Sequence, residues 1–230
     1  MRRSTQDKAD PAFLDEKTAR KQAERQVVLD ALSGGLEAEA IEWTAGHAIP
    51  PELLTSPRIR LRQWTDADCA PFAALNADPV VMEHFPATLS REQSDATVER
   101  LRASIDRKGW GFWAADDLTG GEPRFAGFVG INIPQSADLP FQPCVEVGWR
   151  LARPFWGKGL ASEGARLSLR VGFDLLGLRE IVAMTQLRNL RSRAVMDRLG
   201  MREAVGEEFE HPDVPLGSHA RAMCLYRLSR

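Results

Sequence analysis

The sequence predicts a mixed α/β fold, a sheet with helices on both of its sides. Three observations predict it. From Arg58 onward, short runs that alternate apolar and polar residues give way repeatedly to longer stretches with helical spacing. Clusters of Gly, Pro and Ser mark the changes of period. The stretch RPFWGKGLASEGARL, residues 153–167, joins a strand to an amphipathic helix through a glycine-rich turn. A chain of 230 residues is long enough to bury a sizeable core, as one domain plus an extension or as two small domains.

Residues 1–10 are polar and read as a disordered terminus. From Pro11 to Leu32 the spacing is helical, with Phe13, Leu14, Val27, Val28, Leu29 and Leu32 set among charges of both signs, and SGG at 33–35 stops it. IPPELLTSP, residues 49–57, reads as a linker, because consecutive prolines continue neither helix nor sheet. The expected boundary lies near Leu54. Residues 1–54 form an N-terminal extension too short to be stable without docking, and residues 55–230 form the main domain.

RIRLRQW, residues 58–64, alternates as a strand does. A helix follows over 65–76, with Thr65 and Asp66 as caps. A second runs from Ser90, its N-cap, to Lys108 with Val98, Leu101 and Ile105 on its apolar face. WGFWAADD and RFAGFVGINIP form a hairpin through LTGGEP, residues 118–123. CVEVGWRL, residues 144–151, is a strand that leads into the glycine turn. Then come a helix from about Gly159 to Leu176, the strand EIVAMTQ (180–186) and the short helix RSRAVMDRLG, closed by Gly200. Two last strands enclose a loop rich in Pro, Gly and His. The order is β-α-α-β-β-β-α-β-α-β-β.

Composition excludes several classes. The net charge of −2 lacks the basic footprint of a nucleic-acid binder, so no nucleic-acid partner is expected. Cys69, Cys144 and Cys224 are odd in number, far apart and without a CxxC pair, which fits free thiols in a reducing cytoplasm. His47, His84, His211 and His219 show no ligand spacing, and no metal site is expected. The basic start MRRSTQDKAD precedes no apolar run. No membrane partner and a cytoplasmic location are therefore expected.

A strand, a glycine turn and a helix present unpaired backbone N–H groups at the positive end of the helix dipole. Phosphate suits such a place, and glycine lets its oxygens approach the backbone. The spacing is not a P-loop, which needs GxxxxGK[ST]. Nor is it a dinucleotide fingerprint, because Ser162 stands where GxGxxG needs its third glycine. A purely structural turn is the remaining alternative, against which Lys158 and Arg153 favour an anion.

WGKGLA, residues 156–161, resembles the Arg/Gln-x-x-Gly-x-Gly/Ala motif of the GNAT acyl-CoA N-acetyltransferases, with Gly159 and Ala161 in the small positions. Trp156 departs from the usual Arg or Gln, as in the RimJ/RimL-like branch that acetylates ribosomal-protein N-termini. Glu146-Val147-Gly148-Trp149 is similar to that branch's E-hydrophobic-G-aromatic strand. Asn189, Ser192 and LGM at 199–201 match its Asn-x-x-Ser and Leu-Gly-hydrophobic ending. The resemblance covers about residues 57–228. It implies a mostly antiparallel twisted sheet splayed between strands 4 and 5, and acetyl-CoA as co-substrate with its pyrophosphate on the amides of residues 157–162. Trp149, Arg150 and Leu151 would lend backbone groups to the pantetheine arm. Trp156, Gly157, Lys158, Gly159, Leu160, Ala161 and Ser162 would hold the pyrophosphate, and Asn189 the pantetheine from the other side.

For catalysis the resemblance implies Ser192 near the thioester sulfur, assisting the leaving thiolate; satisfying a helix-start N–H is its alternative use. A tyrosine acid is excluded at the corresponding helix position, which falls on Met196, and the only tyrosine is Tyr226 in the last strand. Glu146 is the candidate base, with a structural partnership to buried backbone or to Arg150 as the alternative. His84, His211 and His219 are further candidates by chemistry alone. Glu207, Glu208 and Glu210 would draw a cationic amine to the rim or merely solvate a strand end. Trp110, Phe112 and Trp113 read as core. The expected acceptor is a protein or peptide N-terminal α-amine. A small-molecule amine (amino acid, polyamine, aminoglycoside) and a non-catalytic acyl-CoA-binding module are the alternatives, and a homodimer is an open assembly.

Overall fold

The computed structural model describes residues 49–134, 136 and 138–230. The helix expected over 11–32 lies outside them. Eight strands form one sheet: β1 (Ile59–Arg62), β2 (Phe112–Asp117), β3 (Arg124–Asn132), β4 (Glu146–Leu151), β5 (Glu180–Gln186), β6 (Arg202–Glu203), β7 (Phe209–Glu210) and β8 (Ala222–Ser229). Their order is β1-β2-β3-β4-β5-β8-β6, with β7 also paired to β8. Among the described residues four α-helices accompany them: α1 (Cys69–Ala77), α2 (Arg91–Lys108), α3 (Leu160–Arg170) and α4 (Leu190–Arg198). The mixed α/β class and the alternation from Arg58 agree with the sequence reading. The end of the chain differs, since two short strands, not one, pair with β8.

Helices cover both faces. Phe72 of α1 packs edge-on against Phe125 and Phe128 of β3, while Ile59 and Val129 meet α3 at Gly164 on the opposite face. α2 begins at Ser90, whose hydroxyl accepts from the Gln93 N–H, and it ends on Gly109 at φ 78°. The first predicted helix opens as a 3-10 turn at Asp66–Asp68, and α3 continues into a π-helical turn at Val171–Leu175. Residues 49–57 are not a free linker. Pro51–Leu54 forms a 3-10 turn, and Ile49 and Leu54 are each 5% exposed within the core, so packing reaches upstream of Leu54.

All neighbouring strands run antiparallel except β4 and β5. That parallel pair has a single register, Glu146 opposite Val182, closed by the Val182 N–H donating to the Val145 carbonyl at 2.9 Å. Beyond it the two strands diverge toward their C-terminal ends. The splay expected at this point of the sheet is present, and it opens the cavity described next.

Candidate active site

β4 passes through a 3-10 turn, Arg153–Phe155, into the glycine turn. Gly157 has φ 73° and Gly159, the N-cap of α3, has φ 79°; glycine occupies this left-handed region without the Cβ clash of other residues. The amides that open α3 are thus presented beside a bare backbone. Trp156 does not act as the Arg or Gln it replaces. Its indole N–H donates to the Leu151 carbonyl at 2.6 Å, tying the turn to the end of β4, and its ring walls the cavity under the Arg191 guanidinium, 4.7 Å from the ring centre.

Cations surround the turn. Arg58 donates to the Lys158 carbonyl at 2.9 Å and pairs with Glu163 in the first turn of α3. Arg198 Nε reaches Ser162 Oγ at 3.4 Å, and Lys158 is exposed. Glu163 is held below the usual carboxylate range, burial opposing and the Ser56 and Arg58 hydrogen bonds outweighing it. Sequence reasoning missed Arg58 because it lies far upstream; only the fold brings it to the turn.

The cavity between the splayed strands measures about 1180 Å³. The two residues expected in catalysis and all those expected to hold the co-substrate line it: Glu146 and Ser192, and Trp149, Arg150, Leu151, Trp156, Gly157, Lys158, Gly159, Leu160, Ala161, Ser162 and Asn189. Among the described residues, Glu146 forms neither a hydrogen bond nor a salt bridge, so the alternative partnership with Arg150 is not made. Desolvation pushes its carboxyl up to about 7, while the Lys108 charge pulls the other way. Lys108, at the end of α2, donates to Asn132 Oδ1 at 2.8 Å, and Asn132 lies opposite Glu146 in the β3–β4 register. Burial pushes the Lys108 ammonium down to about 7.

At the start of α4 the roles divide. Asn189 Oδ1 accepts from the Ser192 N–H at 3.1 Å, and Asn189 Nδ2 donates to Thr185 Oγ1 at 2.9 Å. Capping is therefore the work of Asn189, and the Ser192 hydroxyl has no protein partner among the described residues. Met196 is buried against the cavity, and Tyr226 sits in β8 with its hydroxyl accepting from Arg193 Nε.

The acidic run falls to the second of its two readings, a strand end. Glu210 pairs with Arg221 and Glu207 with Arg227, both cations of the β8 region, and none of Glu207, Glu208 and Glu210 lines the cavity. The charges of Glu207 and Glu210 are satisfied locally. Trp110 and Trp113 are core, each 2% exposed, but Phe112 lines the cavity. Sequence reading also missed the loop at 79–89. Its Glu83 pairs with Arg191 at 2.7 Å, and its His84 Nδ1 lies 3.0 Å from Gln186 Oε1. The Glu83 carbonyl lies 3.1 Å from His219 Nε2, so this loop straps one side of the cavity to the other. His84 and His211 line the cavity; burial lowers the His211 pKa.

This combination of sheet, splay and a helix start open to an anion is that of a mixed α/β enzyme with a cleft beside a phosphate-sized turn. The model of the acetyltransferase (GNAT) domain matches residues 58–202, and the chain belongs to that family and is an N-acetyltransferase enzyme. It is 34% identical over 149 residues to the uncharacterized protein YkkB of Bacillus subtilis, covering 64% of this chain and 84% of that one. An N-acetyltransferase of the same organism, YnaD, is 26% identical over 166 residues, 72% of this chain and 89% of the other. A solved GNAT acetyltransferase from Bacillus anthracis superposes with a TM-score of 0.61 at 21% identity, covering 76% and 97% of the two chains. Members of the family use acetyl-CoA and an amine acceptor. Among the described residues no helix is long and apolar enough to cross a membrane, and no cluster of potential metal ligands is present.

Proposed function

We propose that the protein transfers the acetyl group of acetyl-CoA to the α-amine at a protein or peptide N-terminus, in the manner of the RimJ/RimL-like branch, within a domain spanning residues 55–230, into whose core Ile49 and Leu54 also pack, and in the cytoplasm. One observation carries the chemistry. An unpartnered carboxylate, Glu146, with its pKa raised to about 7, shares a cavity with a helix N-terminus ringed by cations. The pyrophosphate binds residues 157–162, Asn189 borders the pantetheine, and the backbone of Trp149–Leu151 lies along it. Glu146 takes the proton of the attacking ammonium. The amine nitrogen bonds to the thioester carbon, a β4 backbone N–H stabilises the oxyanion, and the carbon–sulfur bond breaks as the nitrogen's second surplus proton passes to the leaving sulfur. Ser192 Oγ donates a hydrogen bond to the departing thiolate. A small-molecule amine is a second reading, favoured by the strap of Glu83 and His84 across the cavity, which suits a short acceptor.

The test is calorimetric titration of acetyl-CoA, with 3′-dephospho-CoA for comparison, into the wild type and Gly159→Glu. The substitution puts a carboxylate where phosphate binds, and a Cβ at φ 79° is strained. Loss of binding in a folded variant is expected; unchanged affinity overturns the site. N-terminal peptides and free amines are then compared as acceptors, and CoA binding without turnover of any amine makes the protein a binding module.

A further inference from the structure

Arg150 lies four residues beyond Glu146 on β4, so the two side chains leave the same face of the strand, their α-carbons about 13 Å apart. Gly148 lies between them. A Cβ there would come within 3.0 Å of the Phe112 ring, so the floor between carboxylate and guanidinium is bare backbone beneath an aromatic wall. The guanidinium is 4.0 Å from the ring centre of Phe85 and 5.5 Å from that of Phe128. Nη1 donates to Asn76 Oδ1 at 2.7 Å, while Nε is buried with no partner. No carboxylate among the described residues pairs with Arg150, whereas Arg58 and Arg191 on the same cavity each have one. Desolvation alone pushes the Arg150 guanidinium down to about 10. A cation taken from water and left with unspent donors is costly unless an anion completes it. Aromatic walls strengthen such a pair by lowering the local dielectric.

We infer that Arg150 seats a carboxylate carried by the acceptor itself, so that the substrate is a primary amine bearing a carboxylate, its nitrogen toward Glu146 and its acid group toward Arg150. This rests on the acetyltransferase reading above. It adds a role for the Arg150 side chain to the backbone role already assigned. The carboxylate has two sources, the α-carboxylate of a free amino acid or an acidic side chain near a peptide N-terminus.

Matched acceptor pairs separate the sources: leucine against leucinamide, and an aspartyl peptide amide against its asparaginyl counterpart. The wild type is expected to favour the charged member of one pair by about 30-fold in kcat/KM, and Arg150→Met to bring that ratio to within about twofold of unity. Arg150→Lys is expected to restore part of the preference. A merely structural arginine would lower both members alike and leave the ratio unchanged. The same pairs are titrated into the CoA-saturated wild type. Carboxylate-selective binding without turnover upholds the Arg150 seat and overturns the catalytic reading. Turnover without carboxylate preference in either pair overturns the seat and leaves the catalytic reading intact. Neither binding nor turnover of any member overturns both.

Discussion

Glu146→Gln tests rate and stability together. Burial lifts the Glu146 carboxyl from 4.5 to about 7 in the fold. With each tenfold in proton affinity equal to about 1.4 kcal/mol, keeping it ionised costs up to about 3 kcal/mol. The folded pKa lies above the unfolded one. The folded state therefore binds the proton more tightly, and stability is lost as pH rises from 4.5 through about 7. Glutamine cannot ionise, so the variant should gain stability relative to the wild type above pH 7 and not below 4.5, less whatever its buried amide loses by staying unpaired. In the rate, the wild-type kcat/KM should show an acid limb with its inflection near 7, since only the carboxylate accepts the amine proton. Glu146→Gln should lower kcat/KM above that inflection by about 100-fold and flatten the limb. Steady-state thiol release across pH and urea unfolding at two pH values read the two effects. A variant with wild-type rate and an unmoved inflection places the base elsewhere.

Ser192→Ala should lower kcat about tenfold while the calorimetric affinity for CoA stays within about twofold, because the lost hydrogen bond is to developing thiolate charge. Wild-type turnover would remove Ser192 from the chemistry, since Asn189 already caps the helix. Leu54→Ala should cost about 3 kcal/mol in urea unfolding, as expected for a leucine 5% exposed in the core. A loss near zero would return residues 49–54 to the status of a linker.

The legible parts of this chain are those whose signal is local. The glycine turn, the Glu146 strand and the Asn189–Ser192 helix start each fit within a few residues, and the fold gathers all of them around one cavity. Ser90 and Gly109 announce α2 for the same reason. What the sequence hides is long-range. Arg58 reaches the turn only because β1 lies beside α3, and Glu83 meets Arg191 only across the cavity. For Glu207 and Glu210 the sequence left two uses open, an acidic rim or a solvated strand end, and only the pairing with Arg227 of β8 and Arg221 just before it decides between them. β6 and β7, two residues each, carry no period of their own and exist as strands because β8 offers an edge to pair with.

The raised pKa of Glu146 follows from where the sheet parts. A parallel pair held at one register must diverge on at least one side, and here Glu146 occupies that register. Its side chain thus emerges at the apex of the wedge, half-buried where the walls converge and desolvated enough to raise its pKa. The wide end in turn holds the glycine turn with Lys158 and Gly159 exposed, where a highly charged group can bind while keeping part of its hydration. One divergence between two strands thereby sets a half-buried carboxylate suited to proton transfer at one end and an exposed turn suited to phosphate at the other. Trp156 fixes the distance between them, since its bond to the Leu151 carbonyl ties the turn to the strand that carries Glu146.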